Sequence, residues 1–202
     1  MAEDSGLDRR QVMLGCGLGL LPSAAFAADD VGIVERAVGQ TKAGMPQRDL
    51  FAASPVFVGD EVRTGPDSLL AMMLGGRTRV LMGPETVLTI DRYTAEVGGE
   101  LILGQGALLF DRDEAAQKTP VTLSTAFGLI AVRGTQFFAG PSKGKFAVFV
   151  GRGTVRFTAG GAKVVLYAGY GSDVAVAGDA PSEPAKWRQA RIDAAFALVG
   201  AI

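Results

Sequence analysis

Gly59-Asp60-Glu61-Val62-Arg63-Thr64-Gly65 opens a run of short apolar segments, and further along Val132-Arg133-Gly134-Thr135-Gln136-Phe137 opens another. Both stretches read as turns feeding strands. Glycine supplies a positive φ without steric cost, and Asp or Thr side chains hydrogen-bond nearby backbone, so such clusters between apolar runs reverse the chain. The segments that follow, at residues 69–74, 78–82, 86–90, 136–139 and 146–150, are rich in Val, Leu, Thr and Phe.

Working outward, the same composition recurs at residues 56–58, 100–103, 107–110, 121–124, 129–132, 154–158, 163–167 and 173–176, with Gly75-Gly76, Gly98-Gly99 and Gly160-Gly161 as punctuation. Period-two alternation puts Val80 and Met82 on one face with Leu88 and Ile90, leaving Arg79, Thr89 and Asp91 to solvent. Residues 101–110 are apolar on both faces, which fits either a central strand pair or a surface covered by a partner. Residues 40–47 and 111–119 are polar and read as loops, and residues 140–145 as a hairpin connection. An all-β fold follows, with one domain over residues 28–180. The spacing matches no strict repeat, so a twisted solenoid-like roll and a β-sandwich both fit.

The two opening stretches, followed by the strand at residues 146–150 and its Gly151-Arg152-Gly153 turn, resemble the FecR domain of bacterial envelope proteins. The resemblance spans roughly residues 34–176 and favours the roll. It implies a regulator that relays a signal from an outer-membrane transporter through the periplasm to a sigma factor. This sequence shows no helical segment suited to hold a sigma factor and no spanning helix, and it leaves little room after Val176 for a receptor-contacting region. The expectation is therefore a non-catalytic module that binds or scaffolds another envelope protein. A periplasmic part of a transmembrane signalling system and a cell-wall glycan-binding module are the alternatives.

Composition removes several chemistries. The 202 residues carry 20 Lys and Arg against 21 Asp and Glu, a formal charge of −1, which does not suit the basic face that nucleic acid requires. There is no histidine, and the only cysteine is Cys16, so zinc sites and the commonest nucleophile–base pairs lack their usual residues. Carboxylates such as Asp60, Glu61, Asp67, Glu85, Asp91 and Glu96 lie mostly beside turn glycines, and nothing in their spacing marks a pair across a cleft. No catalytic residue, cofactor or metal is expected.

Residues 1–27 read as an export signal: Arg9-Arg10, a short glycine-bearing apolar run, then Ala25-Phe26-Ala27 with cleavage after Ala27. The arginine pair resembles a twin-arginine leader, with general secretion as the alternative route. The run falls well short of the roughly 20 residues of a membrane span. A periplasmic location follows, with no stable span in the mature form.

Residues 181–202 form a Pro181/Pro184 linker and a helix beginning near Pro184, with Ile192, Ala195 or Phe196, Val199 and Ile202 on one stripe. That helix either caps an open end of the sheet or binds a partner. Arg63, Thr64, Arg133 and Thr135 are the partner-binding candidates, because turn arginines can make directional contacts once the strands have buried their apolar faces. The competing reading is that they pack and cap their own turns. Tyr93, Tyr167, Tyr170 and Trp187 are the aromatic residues with a polar edge that a sugar site could use.

Overall fold

In the computed structural model the described residues are 30–94, 98–113, 115, 120–132 and 134–201. The export signal, with Arg9, Arg10, Ala25 and Ala27, lies outside them, as do Glu96, Arg133 and Ile202. The described chain forms two nine-stranded sheets. Sheet I runs in the order β18 (Ala185–Lys186), β17 (Tyr170–Val174), β14 (Lys145–Arg152), β13 (Gln136–Ser142), β10 (Leu108–Arg112), β7 (Thr78–Met82), β6 (Leu69–Leu74), β1 (Asp30–Val38), β4 (Pro55–Phe57). Sheet II runs β16 (Ala162–Tyr167), β15 (Thr154–Ala159), β12 (Gly128–Val132), β11 (Val121–Thr125), β9 (Gly98–Gln105), β8 (Val87–Thr94), β5 (Glu61–Thr64), β2 (Thr41–Ala43), β3 (Arg48–Asp49).

The chain lays down one or two strands in one sheet and then crosses to the other, so both sheets grow in the same direction along one axis. This combines the expected solenoid-like path with two stacked layers. All pairings are antiparallel except β9 with β11, and the exception has a topological cause. Strand β10 enters sheet I without a hairpin partner, so the chain returns to sheet II pointing as it left.

Alternation decides which residues fill the space between the layers. Val80, Met82, Leu88 and Ile90 are all buried there, with Val62, Leu101, Leu103, Phe110, Phe137, Val150 and Phe157. The hairpin turns are short: Gly160-Gly161 joins Ala159 to Ala162 with both residues at positive φ, as a two-residue turn between twisted strands requires.

The outer face of sheet I is also apolar and carries a second core. Phe149, Phe138, Leu109, Leu81 and Ala71 face one another across five strands. Helix α1 (Gln189–Leu198) lies over this row, with Trp187 stacked on Phe149 at 4.7 Å and Ala195 and Val199 buried against it. Arg191 fastens the segment: its guanidinium sits 3.8 Å from the Trp187 ring, its Nη2 donates to Asp173 Oδ1 at 2.7 Å, and its Nε donates to Ser142 Oγ at 3.0 Å.

Four expectations are corrected. The helix covers a sheet face instead of an open end, because the largest uncovered apolar area is on the aromatic row. It begins at Gln189 and not near Pro184, since Ala185 and Lys186 pair with β17 as a strand. Residues 40–47 are not all loop, because Thr41–Ala43 pairs with β5. Asp111 and Arg112 belong to β10, where Asp111 accepts from Arg152 and Gln136 and Arg112 is buried.

Gly106 and Gly134 separate two reasons for glycine. Both have positive φ, but a Cβ on Gly106 would stand 2.2 Å from Thr86 Oγ1, whereas one on Gly134 would meet open space. Gly134→Ala should therefore cost only the left-handed backbone penalty, about 1 kcal/mol. Gly106→Ala should cost about 3 kcal/mol, because the crossover must also shift. Urea unfolding of the two variants checks the order; equal losses would remove the crowding argument.

Candidate functional site

The residues of the first stretch divide between two tasks. Asp60 is buried and accepts from Arg48 Nη1 at 3.1 Å and Nη2 at 2.6 Å and from the Phe57 N–H at 2.9 Å. The same guanidinium donates to Pro55 O and lies 5.0 Å from the Phe57 ring, so the carboxylate ties β3 and β4 to the turn before β5. Thr64 is buried as well. Its Oγ1 donates to Gly83 O at 2.6 Å and accepts the Thr86 N–H at 2.9 Å. Thr86 repeats the pattern one crossing further on, where its Oγ1 accepts the Ala107 N–H at 3.0 Å. On the other side Ser68 Oγ accepts the Gln40 N–H at 2.9 Å. These hydroxyls stitch successive crossovers together along one rim. Thr64 is committed to that relay and presents no polar atom to a partner.

Arg63 points the other way. It lies on the exposed outer face of sheet II, where its Nε donates to Glu61 Oε1 at 2.7 Å along the same strand. Of the second stretch, Thr135 is fully buried with its backbone carbonyl accepting the Arg112 N–H, and Arg133 lies outside the described residues.

The two stretches are not neighbours. Register across sheet II aligns Arg63 with Val87, Val87 with Gln105, Leu103 with Thr125 and Thr125 with Gly128. It aligns the far ends as Gly99 with Val121 and Val121 with Val132. The Thr64 end of β5 and the Val132 end of β12 are therefore on opposite rims, with β8, β9 and β11 between them. A single contact surface built from both turns is excluded by this geometry.

What sheet II does present is its outer face. One row crosses it as Thr89, Ile102, Ser124, Leu129, Thr158 and Lys163. The next runs Arg92, Glu100, Thr122, Ala131, Arg156 and Val165. Ile102 and Leu129 are 39% and 43% exposed, large apolar groups standing in water amid threonines and charges. Arg92 is matched by Glu100 at 2.7 Å, whereas Arg156, between Ala131 and Val165, has no anion beside it among the described residues. Among the described residues no helix covers this face. Sequence reasoning allowed a partner-covered surface over residues 101–110, which include Ile102, but missed Leu129 and Arg156; the available signal was an apolar residue at both parities of the 129–132 strand.

The aromatic candidates do not converge. Trp187 is buried beneath α1, and Tyr93 is buried with its hydroxyl 2.5 Å from Thr78 Oγ1. Tyr167 and Tyr170 are exposed at the turn between β16 and β17. The carboxylates nearest the site are engaged, Asp60 by Arg48 and Glu61 by Arg63. Among the described residues no group of three or more acidic or cysteine side chains is placed to hold a metal ion. No helix among them is long and apolar enough to cross a membrane. A cleft of about 410 Å³ opens at the Thr64 rim between Leu103, Phe127, Pro141 and Phe146.

The FecR protein family model matches residues 60–156, a range that takes in both stretches but for Gly59. Two crystal structures, each described as an anti-sigma factor from Parabacteroides distasonis, are similar in fold. Their TM-scores are 0.54 and 0.53, at 17% and 16% identity over 69% and 66% of this chain. The chain spans 65% and 62% of the length of those two proteins. No curated protein matches it.

Two predictions follow from the buried hydroxyls. Thr64→Val keeps the shape but strands the Thr86 N–H, and should cost about 2 kcal/mol by denaturant unfolding. Arg63→Ala should change stability by no more than about 0.5 kcal/mol, since its ion pair is exposed. A stable Thr64→Val would sink the relay. The second concerns pH. Burial pushes the Tyr93 hydroxyl above its ordinary 10.0, partly offset by the Thr78 hydrogen bond. The unfolded chain then ionises first, so this stability is complete below the unfolded value and is lost as pH rises from there through the higher folded value. Tyr93→Phe should flatten the fall in melting temperature above that pH, and an unchanged alkaline limb would exclude Tyr93 as its source.

Proposed function

We propose that this chain is a non-catalytic, exported protein-binding module of the bacterial cell envelope, working in the periplasm and docking its partner on the outer face of sheet II. One observation carries the reading: sheet I has its apolar outer row closed by the chain's own helix, while sheet II leaves Ile102 and Leu129 exposed beside Arg156. A partner that supplies apolar area and a carboxylate complements that surface. Desolvating an exposed Leu is worth about 2 kcal/mol, and an arginine opposite a carboxylate adds orientation. Arg63 sits on the same face toward β2 and extends the candidate surface. The leader at residues 1–27 and the FecR match support the envelope setting.

The same module acting in a transmembrane signalling system, as the periplasmic member of a sigma-factor relay, is the second reading. It is favoured by the fold shared with two proteins described as anti-sigma factors.

A photo-crosslinking amino acid at position 129 should capture a protein in intact envelopes, and Leu129→Asp should weaken retention of that protein at least about tenfold, or 1.4 kcal/mol. The variant's own stability should move by no more than about 0.5 kcal/mol, because the position is on the surface. Adducts that a muramidase releases as glycan would overturn the protein-binding reading. Undiminished capture by Leu129→Asp would move the interface elsewhere.

A further inference from the structure

Two stacked sheets that grow along one axis end in four exposed strand edges, and three of these are short or covered. β3 and β18 are two residues long and β4 is three. The open side of β17 is followed by the returning chain, where the Ser182 N–H donates to Asp173 O and the Asp173 N–H to Ser182 Oγ. The fourth edge, β16, differs. Its six residues pair with β15 in unbroken register from Ala159–Ala162 to Thr154–Tyr167, and among the described residues no strand pairs on its other side. The strand has no proline, no bulge and no inward charge; of the usual devices that blunt an edge it carries only the outward-facing Lys163.

From this edge we infer that the chain forms a two-fold dimer by antiparallel pairing of β16 with β16 of a second copy. The strand is complementary to itself. Lys163, Val165 and Tyr167 point outward and Val164 and Leu166 inward, so a continuous sheet must pair outward residues with outward ones. Pairing about Val165 sets Lys163 against Tyr167 of the second copy and Val164 against its Leu166. The ammonium then lies beside an aromatic ring. A register one pair away toward the strand's start would face Lys163 with Val165, and a further one would face it with Lys163 itself.

Burial agrees with this arrangement. Val165 and Tyr167 are 40% and 62% exposed, and Val164 is half-buried at the open end of the inter-sheet core with no described strand beyond it. The added strand covers all three. The nearest like charges across the axis, Arg156 and Lys163 of the second copy, are two strand spacings and two residues apart, about 12 Å, beyond the screening length of about 8 Å at physiological salt. One strand pair is a small interface, so the dimer is reversible and concentration-dependent. This inference does not rest on the partner reading above.

Sedimentation of the chain as the cell produces it, from about 5 to about 200 µM, should show a monomer–dimer equilibrium, the range in which a small interface associates. Val165→Lys puts two ammonium groups face to face on the axis and should weaken association at least tenfold. In a Cys16→Ser background, Val165→Cys should be joined to its copy by a short bismaleimide, and Leu129→Cys should not. That crosslink carries the test if Val165→Lys fails to fold. Leu129→Asp should leave the dimer intact, which separates this interface from the proposed docking face. A wild-type monomer across the whole range overturns the inference and leaves the edge to a strand from another protein. A dimer indifferent to Val165→Lys, or a Val165→Cys chain that does not crosslink, overturns it too.

Discussion

The hydroxyl relay at the crossovers is what allows this chain to alternate between two layers. Each time the backbone leaves one sheet for the other it abandons the hydrogen-bond ladder, and its N–H and C=O groups need partners where water is excluded. A hydroxyl can donate and accept at once, which an amide or a guanidinium cannot do within so small a volume. Thr64 joins the Gly83 carbonyl to the Thr86 N–H, Thr86 joins the next crossing to Ala107, and Ser68 serves the crossing before. With the rim satisfied in this way, strands as short as four to six residues can stack their alternate side chains into one core.

That core accounts for the inner faces alone, and the outer faces part company. Sheet I sets Phe138, Phe149 and Leu109 in one row, too apolar to stay wet, and the C-terminal segment returns to cover it. The helix supplies little amphipathic contrast of its own. It is positioned by Trp187 on Phe149 and by Arg191, whose partners Asp173 and Ser142 are on β17 and β13. Sheet II alternates its core residues with threonines, serines and charges, so it needs no cover to be stable in water. The exceptions, Ile102 and Leu129 on the middle strands and Val165 and Tyr167 at the β16 edge, are therefore informative: they cost solvation in the isolated chain and gain from a partner.

The growth axis has a consequence at its ends. A barrel would close on itself and hide every edge, whereas a two-layer stack must finish somewhere. At one end the strands shrink to two and three residues. At the other, residues 182–186 fold back along β17 but leave β16 uncovered. The asymmetry follows from chain order, because the last hairpin in sheet II is followed only by strands of sheet I.

Period two, glycine turns and strand composition sufficed to place the all-β class, most strands and the inward set of Val80, Met82, Leu88 and Ile90, because alternation is a local property that each strand carries in its own residues. The helix stripe of Ile192, Ala195 and Val199 was legible for the same reason. Pairing is not local. Whether Thr64 faces a crossover or a partner depends on Gly83 and Thr86, and whether two similar turns share a rim depends on how many strands intervene and which way each points. Polar stretches such as Thr41–Ala43 and Asp111–Arg112 were read as loops because their partners, not their own composition, make them strands. The sequence by itself determined which residues must be hidden; the tertiary structure alone decided what hides them, since a sheet's second face is covered, or left open, by segments far away in the chain.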